Sequence, residues 1–304
     1  MDIETCLIYF IDDGILAEKS PATLKGYRYS VNALLHYTKN KFLPQVITSI
    51  TPDLLSKFFL EGIKIRKWNK YTHWTHYKNL NAFLNWCVKK EKIASNPLQK
   101  IPKPKLPVQS PKSLNEDEIK QVLRTVASIP SKYYFPTLRN KAVIAMIVFT
   151  GIRKSELINL RESDVNLLDG FITIESGKGN KRREIPIEEL TLKPILLDYW
   201  EYRNKLNKYS QWFFNGTFSN RGIKDNKLSV SALDAIFKKL SNLCKKRIHA
   251  HKLRHSFATL FLDKTDDIYT LQQLMGHSSI STTCIYLSSS RKKKIEAISK
   301  LKLF

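Results

Sequence analysis

A segment rich in proline and lysine interrupts this chain of 304 residues near the end of its first third. It runs from Asn96 to Lys112 and reads NPLQKIPKPKLPVQSPK. Proline lacks an amide hydrogen and fixes its own backbone angle, so closely spaced prolines exclude a continuous helix and favour an extended spacer. The chain on each side must then bury its own apolar residues. We predict two domains, residues 1–96 and 113–304, joined by a linker over residues 97–112.

The first domain has the pattern of a helical bundle. Ser20-Pro21 and Thr51-Pro52 each combine a capping side chain with a proline at the first helical position. Apolar residues follow both pairs at spacings of three and four residues, and a similar stripe runs through about 71–90. With an opening helix near residues 3–16, the pattern predicts a domain of four or so helices.

The second domain is predicted to be mainly α-helical with a small antiparallel sheet. Asn115 and Glu118 have the spacing of a capping box at the start of a helix. Two short β patterns, 171–175 and 183–187, flank residues 176–182, whose glycines and asparagine favour a hairpin turn. The fold class predicted for the whole chain is therefore mainly α.

The charge of the chain points to a polyanionic partner. Lysine and arginine number 51 against 27 acidic residues, a net charge of +24, and both domains carry part of the excess. Nucleic acid is the predicted partner because neutralisation of phosphates by Lys and Arg supplies most non-specific affinity. The longest apolar run, 142–149, is far shorter than the roughly 20 residues that span a bilayer. We expect a cytoplasmic, nucleoid-associated protein without a membrane partner.

Metal and nucleotide sites have little support in the sequence. There is no G-x-x-x-x-G-K-[ST] pattern for a nucleotide phosphate. His249, His251 and His255 could hold zinc by their spacing, but no H-E-x-x-H pattern and no nearby cysteine or acid completes a coordination shell. We predict that the protein uses neither a metal nor a cofactor.

Phosphoryl transfer by side chains alone needs guanidinium groups for the non-bridging oxygens, a nucleophile and a proton donor for the leaving oxygen. The second domain contains candidates for each of these parts. In chain order they are Arg153 after a glycine, Lys178 at the predicted hairpin tip, His251 and Arg254 on one helical face, His277 after a glycine, and Tyr286. Taken one at a time, such residues are more typical of solvated charges or of core packing.

Their order and surroundings resemble the tyrosine recombinase (phage integrase) family, in particular its Xer-like subgroup. The matching motifs are T-G-[IL]-R-x-S-E-L at 150–157, G-K-G-N-K at 177–181, H-x-L-R-H-x-F-A-T at 251–259 and L-[LM]-G-H-x-x-[IL]-x-T-T-x-x-Y at 274–286. The resemblance covers residues 113–304, and the helical domain before them agrees in type and placement with the family's core-binding domain.

The resemblance implies a site-specific DNA recombinase that cleaves and rejoins DNA through a 3′-phosphotyrosyl intermediate. It assigns the following roles: Tyr286 is the nucleophile, Arg153 and Arg254 hold the phosphate oxygens, Lys178 is the general acid, His251 accepts the tyrosine proton, and His277 orients the phosphate or supports the nucleophile. It also implies a C-shaped clamp of the two domains on DNA. A type IB topoisomerase-like activity and a non-cleaving DNA-binding regulator are the alternatives.

Partners and DNA contacts follow from the same resemblance and from the distribution of charge. We expect paired inverted-repeat half-sites, two protomers per site, and a homo-tetramer coupled by a tail helix at about 291–304, with an accessory activator as a further partner. The implied role is chromosome dimer resolution or the integration and excision of a mobile element. Candidate phosphate contacts, with a solvated surface as the alternative, are Arg66, Lys67, Lys70, Lys181 and Arg182.

Overall fold

The computed structural model divides into two compact units, Met1–Val108 and Gln109–Phe304. It describes residues 1–106, 113–131, 133–175, 182–206, 210–216, 218–219, 222–223, 226–287 and 298–299. Pro97–Lys100, within the predicted linker, form a short 3-10 helix, and Leu98 of this helix is buried in the core of the amino-terminal unit.

Residues 1–106 form four α-helices: α1 (Ile3–Leu16), α2 (Pro21–Asn40), α3 (Pro52–Lys64) and α4 (Lys70–Lys89). Each begins at a capping residue, and the Ser20 and Thr51 side chains accept hydrogen bonds from backbone amides of the first helical turn, as the sequence predicts. Helix α2 packs against both α1 and α4. The core between the helices is aliphatic and aromatic.

A histidine is buried in the same unit. His76 of α4 is fully buried, and neither nitrogen of its ring has a hydrogen-bond partner. The ring stacks on Trp68 at 4.2 Å between centroids, with Tyr29 at 5.2 Å. Burial, with a smaller contribution from the charge of Arg66, lowers the pKa of His76 to about 4. The imidazole is therefore neutral at pH 7 and packs as an aromatic ring.

The carboxyl-terminal unit is also mainly helical. Its helices are α5 (Glu116–Ala127), α6 (Tyr134–Thr150), α7 (Lys154–Ile158), α8 (Leu192–Leu206), α9 (Val230–Leu243), α10 (Ala250–Thr265), α11 (Ile268–Met275) and α12 (Ile280–Cys284). The predicted capping box is present at the start of α5. Helix α6 is buried on nearly all sides because α5, α8 and α10 pack around it. In the part of the chain that is described, no helix has the length and apolar character needed to cross a membrane.

A three-stranded antiparallel sheet carries the predicted hairpin. Its strands are β1 (Val165–Asn166), β2 (Phe171–Glu175) and β3 (Arg182–Pro186), in that order. Glu175 pairs with Arg182, so the turn between β2 and β3 comprises residues 176–181, which lie outside the described residues. A separate two-stranded sheet, β4 (Phe218–Ser219) and β5 (Gly222–Ile223), was not predicted from the sequence.

A buried arginine fixes the segment that follows α8. The side chain of Arg203 is fully buried and donates hydrogen bonds to the carboxylate of Glu162 and to the carbonyls of Trp212, at 2.8 Å, and Phe213, at 3.2 Å. The Tyr199 hydroxyl donates to the same Phe213 carbonyl at 2.9 Å. The positive charge of Arg203 is therefore balanced within the fold.

Candidate active site

The first site residue lies where α6 gives way to α7. Gly151 ends α6 in the left-handed conformation with φ = 62°, and a Cβ atom there would come within 2.4 Å of the Phe257 ring. Only glycine avoids both the backbone strain and this clash. Arg153 follows, and its guanidinium donates to Glu156 Oε1 and to the Gly276 carbonyl, both at 2.8 Å. The glycine break thus aims Arg153 towards the segment that ends α11.

Arg254 is held inside the same region by α10. It is 3% exposed and donates hydrogen bonds to the carbonyls of Gly151 and Met275 and to Nε2 of His277, the last at 3.3 Å. Burial, followed by the charge of Arg153, lowers the pKa of Arg254 to about 10. The guanidinium remains charged at neutral pH, and its bonds to carbonyls fix its orientation without neutralising it.

The contact with Arg254 determines the tautomer of His277. Arginine can only donate, so His277 Nε2 must accept, and the ring proton is then on Nδ1. That proton is donated to Thr283 Oγ1 at 2.9 Å. Burial and the charges of Arg254 and Arg153 lower the pKa of His277 to about 4. The neutral ring therefore links the end of α11 to α12.

Arg183 of β3 is a site residue that sequence reasoning missed. It donates two hydrogen bonds to the Glu156 carboxylate, at 3.1 and 2.7 Å, and a third to the Leu274 carbonyl at 2.9 Å. Burial would raise the pKa of Glu156, but the hydrogen bonds and charge of Arg183, together with Arg153, lower it to about 2. The signal was present: strand alternation places Arg183 on the same face as buried Ile185, where an unpaired charge would be costly.

Tyr286 follows α12 and is buried. Its ring is 5% exposed and belongs to a small apolar cluster that includes Leu271 and Met275. The ring is nearly parallel to that of His277, with 6.4 Å between centroids. Burial raises the pKa of Tyr286, and the charges of Arg254 and Arg153 oppose the rise. The phenol is therefore neutral at pH 7 and lies within the field of the two arginines.

The hydroxyl of Tyr286 contacts a histidine that was not assigned a catalytic role from the sequence. His255 Nδ1 lies 2.7 Å from the Tyr286 oxygen. Burial, followed by the charges of His251 and Arg254, lowers the pKa of His255 to about 4. The ring of His251 meets that of His255 edge-on at 4.5 Å between centroids. Burial also lowers the pKa of His251, with Arg254 contributing.

The structure brings Arg153, Arg254, His277 and Tyr286 into one connected set through these contacts, with His251 beside it on α10. Lys178 and Lys181 lie outside the described residues, as does most of the predicted tail helix at 291–304, of which only 298–299 are described.

The candidate DNA contacts that the structure describes differ in whether they are paired with an acidic residue. Arg66 pairs with Glu61 at 3.0 Å, and Arg182 pairs with Glu184 at 2.9 Å. Lys67 lies between α3 and α4 and is in the left-handed conformation with φ = 54°. Lys70 is the first residue of α4.

An open groove of ≈ 1560 Å³ borders one side of the site. Arg153, Glu156, Arg183 and His277 line part of its wall. Arg153 and Arg183 of this wall share the carboxylate of Glu156, whereas Arg254 lines a separate, smaller pocket beside His251. Over the described residues there is no group of three or more His, Cys, Asp or Glu residues that could hold a metal ion.

Comparisons with known proteins agree with these motifs. Residues 112–293 match the Phage integrase family. The chain is 30% identical over 291 residues to "Tyrosine recombinase XerA" of Pyrococcus furiosus, covering 95% of this chain and 91% of that protein. A crystal structure of XerH recombinase bound to its difH substrate after cleavage has a TM-score of 0.75 at 24% identity, covering 93% of this chain and 80% of the other. The crystal structure of a XerA recombinase has a TM-score of 0.52 at 26% identity, covering 99% of each chain.

Proposed function

This chain belongs to the phage integrase family, and from that premise we propose that it is a site-specific DNA recombinase that cuts and rejoins DNA through Tyr286. The observation that carries the proposal is the set of contacts around the phenol. Tyr286 lies against His277, and His277 is hydrogen-bonded to Arg254, whose buried charge has no carboxylate within ion-pair distance among the described residues. A nucleophile and an unbalanced cation thus lie side by side.

The chemistry of such a site is transfer of a phosphodiester to the tyrosine. The Tyr286 oxygen attacks the phosphorus, the bond to the 5′-oxygen breaks, and a 3′-phosphotyrosyl link retains the energy of the broken bond. Arg153 and Arg254 stabilise the charge that develops on the non-bridging oxygens, and their fixed hydrogen bonds reduce the reorganisation this requires. The reverse reaction with a 5′-hydroxyl from another duplex rejoins the strands without ATP.

The remaining roles are carried over from the family resemblance. Lys178 protonates the leaving 5′-oxygen, and His277 orients the phosphate or supports the nucleophile. The resemblance gives acceptance of the tyrosine proton to His251. The proposal extends to the domains. Residues 1–96 bind DNA, residues 97–112 link the two domains, and residues 113–304 cleave and rejoin the DNA strands. Phosphate contacts are proposed for Arg66, Lys67, Lys70, Lys181 and Arg182.

The substrate we propose is duplex DNA with two inverted half-sites, each bound by one protomer. Two such sites would be joined in a homo-tetramer through the carboxyl-terminal tail, with an accessory activator as a further partner. The place of action is then the DNA of the nucleoid, in chromosome dimer resolution or in movement of an integrative element.

A covalent-capture assay tests the reaction. Duplexes selected for binding from a random pool, trimmed to paired repeats of about eleven base pairs, supply the substrate. A nick placed so that the cleaved 5′-end diffuses away traps the adduct. We expect a covalent protein–DNA complex with the natural protein, none with Tyr286→Phe, and an undiminished one with Tyr134→Phe, whose side chain is exposed and lies outside the groove.

The same duplexes separate the alternatives. Exchange of strands between two sites supports the recombinase, whereas relaxation of any supercoiled plasmid without exchange points to a topoisomerase-like enzyme. Binding without any adduct identifies a regulator and contradicts the proposal.

A further inference from the structure

His255 is the described group that hydrogen-bonds the oxygen of Tyr286, at 2.7 Å. We propose that His255 takes the proton of the Tyr286 hydroxyl when the tyrosine attacks DNA, and is thus a catalytic residue in addition to the six recognised by motif. The inference rests on the proposed function, because it concerns the attack step of that reaction. It reassigns to His255 the proton transfer that the family resemblance gives to His251.

The position of His255 on α10 explains its access to the phenol. His251, Arg254 and His255 are spaced by three and four residues, so they share one face of the helix. Within that face, Arg254 reaches back to Gly151 and Met275, whereas His255 reaches Tyr286. A general base must lie within hydrogen-bond reach of the proton it removes. His255 meets that requirement before DNA arrives.

The protonation state of His255 also suits an acceptor. Burial and neighbouring positive charge lower the pKa of its ring to about 4, so the ring is neutral at pH 7. The groups that act on it are His251 and Arg254 on its own helix, His249 at the start of that helix, and Tyr286 and His277 on the segment packed opposite. A neutral imidazole has one nitrogen with a free lone pair, and at Nδ1 that lone pair can receive the phenolic proton.

The proton and the bonds balance within the site. As the bond from the Tyr286 oxygen to phosphorus forms, its O–H bond breaks and the proton moves to Nδ1 of His255. The bond from phosphorus to the 5′-oxygen breaks, and that oxygen takes a proton from the general acid. An imidazolium beside Arg254 is unfavourable, but the bound phosphodiester brings negative charge that offsets it. During rejoining, His255 returns its proton to the phenolate.

The decisive experiment compares His255→Asn with His255→Ala in single-turnover cleavage of the nicked duplexes. Asparagine retains a hydrogen-bonding atom near the position of Nδ1 but cannot accept a proton at neutral pH. If His255 is the base, both variants lose about 100-fold in cleavage rate, with unchanged duplex binding. His251→Asn, one helical turn earlier, is the matched control, and we expect it to lose less than His255→Asn.

Two further measurements distinguish a base from a positioning group. With a sulfur in place of the bridging 5′-oxygen, the leaving group needs no proton, so Lys178→Ala regains cleavage whereas His255→Asn does not. In His255→Asn the cleavage rate should keep rising with pH up to the ionisation of the tyrosine, while the natural protein, whose His255 has a pKa of about 4, should already be on its plateau at neutral pH.

The outcomes that overturn the inference are distinct from failure of the proposed function. Cleavage by His255→Asn within threefold of the natural protein, or a loss confined to His255→Ala, shows that the histidine only positions the phenol. A larger loss in His251→Asn than in His255→Asn returns the role to His251. If either His255 variant binds duplex poorly or melts early, His255→Gln replaces it under the same criteria. If the natural protein forms no adduct at all, the proposed function itself is wrong.

Discussion

Arg203 and Arg254 are both buried arginines, yet their surroundings differ in one respect. Each donates hydrogen bonds to two backbone carbonyls, which fixes the plane of its guanidinium. Arg203 also pairs with the carboxylate of Glu162. Arg254 has a neutral imidazole, His277, in the corresponding place, and no carboxylate within ion-pair distance among the residues described.

This difference separates an arginine that stabilises a fold from one that is available for a ligand. A buried charge that is paired with a carboxylate is already balanced, so an added anion does not stabilise it further. A buried charge without a partner is unfavourable until an anion arrives, and the lowered pKa of Arg254, caused first by burial, reflects that cost. The carbonyls around Arg254 hold a positive charge in place for a phosphate, as electrostatic catalysis requires.

Substitution at Arg254 should have the largest effect on catalysis. Arg254→Lys retains the charge but loses the planar fork that contacts Gly151, Met275 and His277. We expect cleavage of the nicked duplexes to fall about 1,000-fold, equivalent to about 4 kcal/mol of transition-state stabilisation. Duplex affinity should change by less than tenfold. Cleavage within tenfold of the natural rate would show that the site does not depend on this guanidinium.

Substitution at Arg203 should act on stability instead. Arg203→Met removes the partner of Glu162 and leaves the Trp212 and Phe213 carbonyls without their donor. We expect the free energy of unfolding to fall by about 3 kcal/mol in denaturant titrations. Cleavage measured well below the melting temperature should be unchanged, and adding Glu162→Gln should recover part of the lost stability. A cleavage defect that exceeds the stability defect contradicts the comparison.

Arg183 lies between these two cases, because it pairs with a carboxylate and yet borders the site. Arg183→Lys cannot make both hydrogen bonds to Glu156, so Arg153 loses part of its support. We expect cleavage to fall about thirtyfold, or about 2 kcal/mol, with a smaller loss of stability. Arg247→Lys is the control, since Arg247 is exposed and lies outside the groove. Equal effects from the two variants argue against a positioning role.

His76 extends the comparison to a buried basic group with no hydrogen-bond partner at all. Its pKa is lowered to about 4 in the folded chain, so the unfolded chain binds more protons below pH 6.5, and stability falls as the pH drops towards 4. Between pH 7 and pH 5.5 the loss should be about 1 kcal/mol, visible as a lower free energy of opening of α4 amides once hydrogen-exchange rates are corrected for the pH dependence of the intrinsic exchange. His76→Phe keeps the stacking and should remove this pH dependence. An unchanged dependence in that variant means that another group titrates.

The parts of the fold that were predictable are those encoded locally. Caps such as Ser20, Thr51 and Asn115 act within one helical turn, so the sequence alone identifies where α2, α3 and α5 begin. Motif spacing likewise named Arg153, Arg254 and His277, which the structure links to one another and to Tyr286.

What escaped prediction depends on distant partners. Arg203 occupies a core position only because Glu162, far away in the chain, neutralises it. Arg183 is part of the site because Glu156 comes to it from another element, and His255 because the chain brings Tyr286 back over α10. An analysis of hydrophobic periodicity assigns charged residues to the surface. It cannot show that a carboxylate from another segment neutralises a buried arginine.

The near-complete burial of Tyr286 should lower the rate of cleavage by the resting molecule. A phosphodiester reaches the phenolic oxygen only when the apolar cluster around the ring loosens, while the hydroxyl keeps its contact with His255. Exposing apolar area of about one ring costs about 2 kcal/mol, so about one molecule in thirty admits a phosphate at any instant. Most random encounters with DNA phosphates therefore meet a buried phenol. A duplex whose binding free energy offsets that cost is cut, whereas a duplex that dissociates quickly is released uncut.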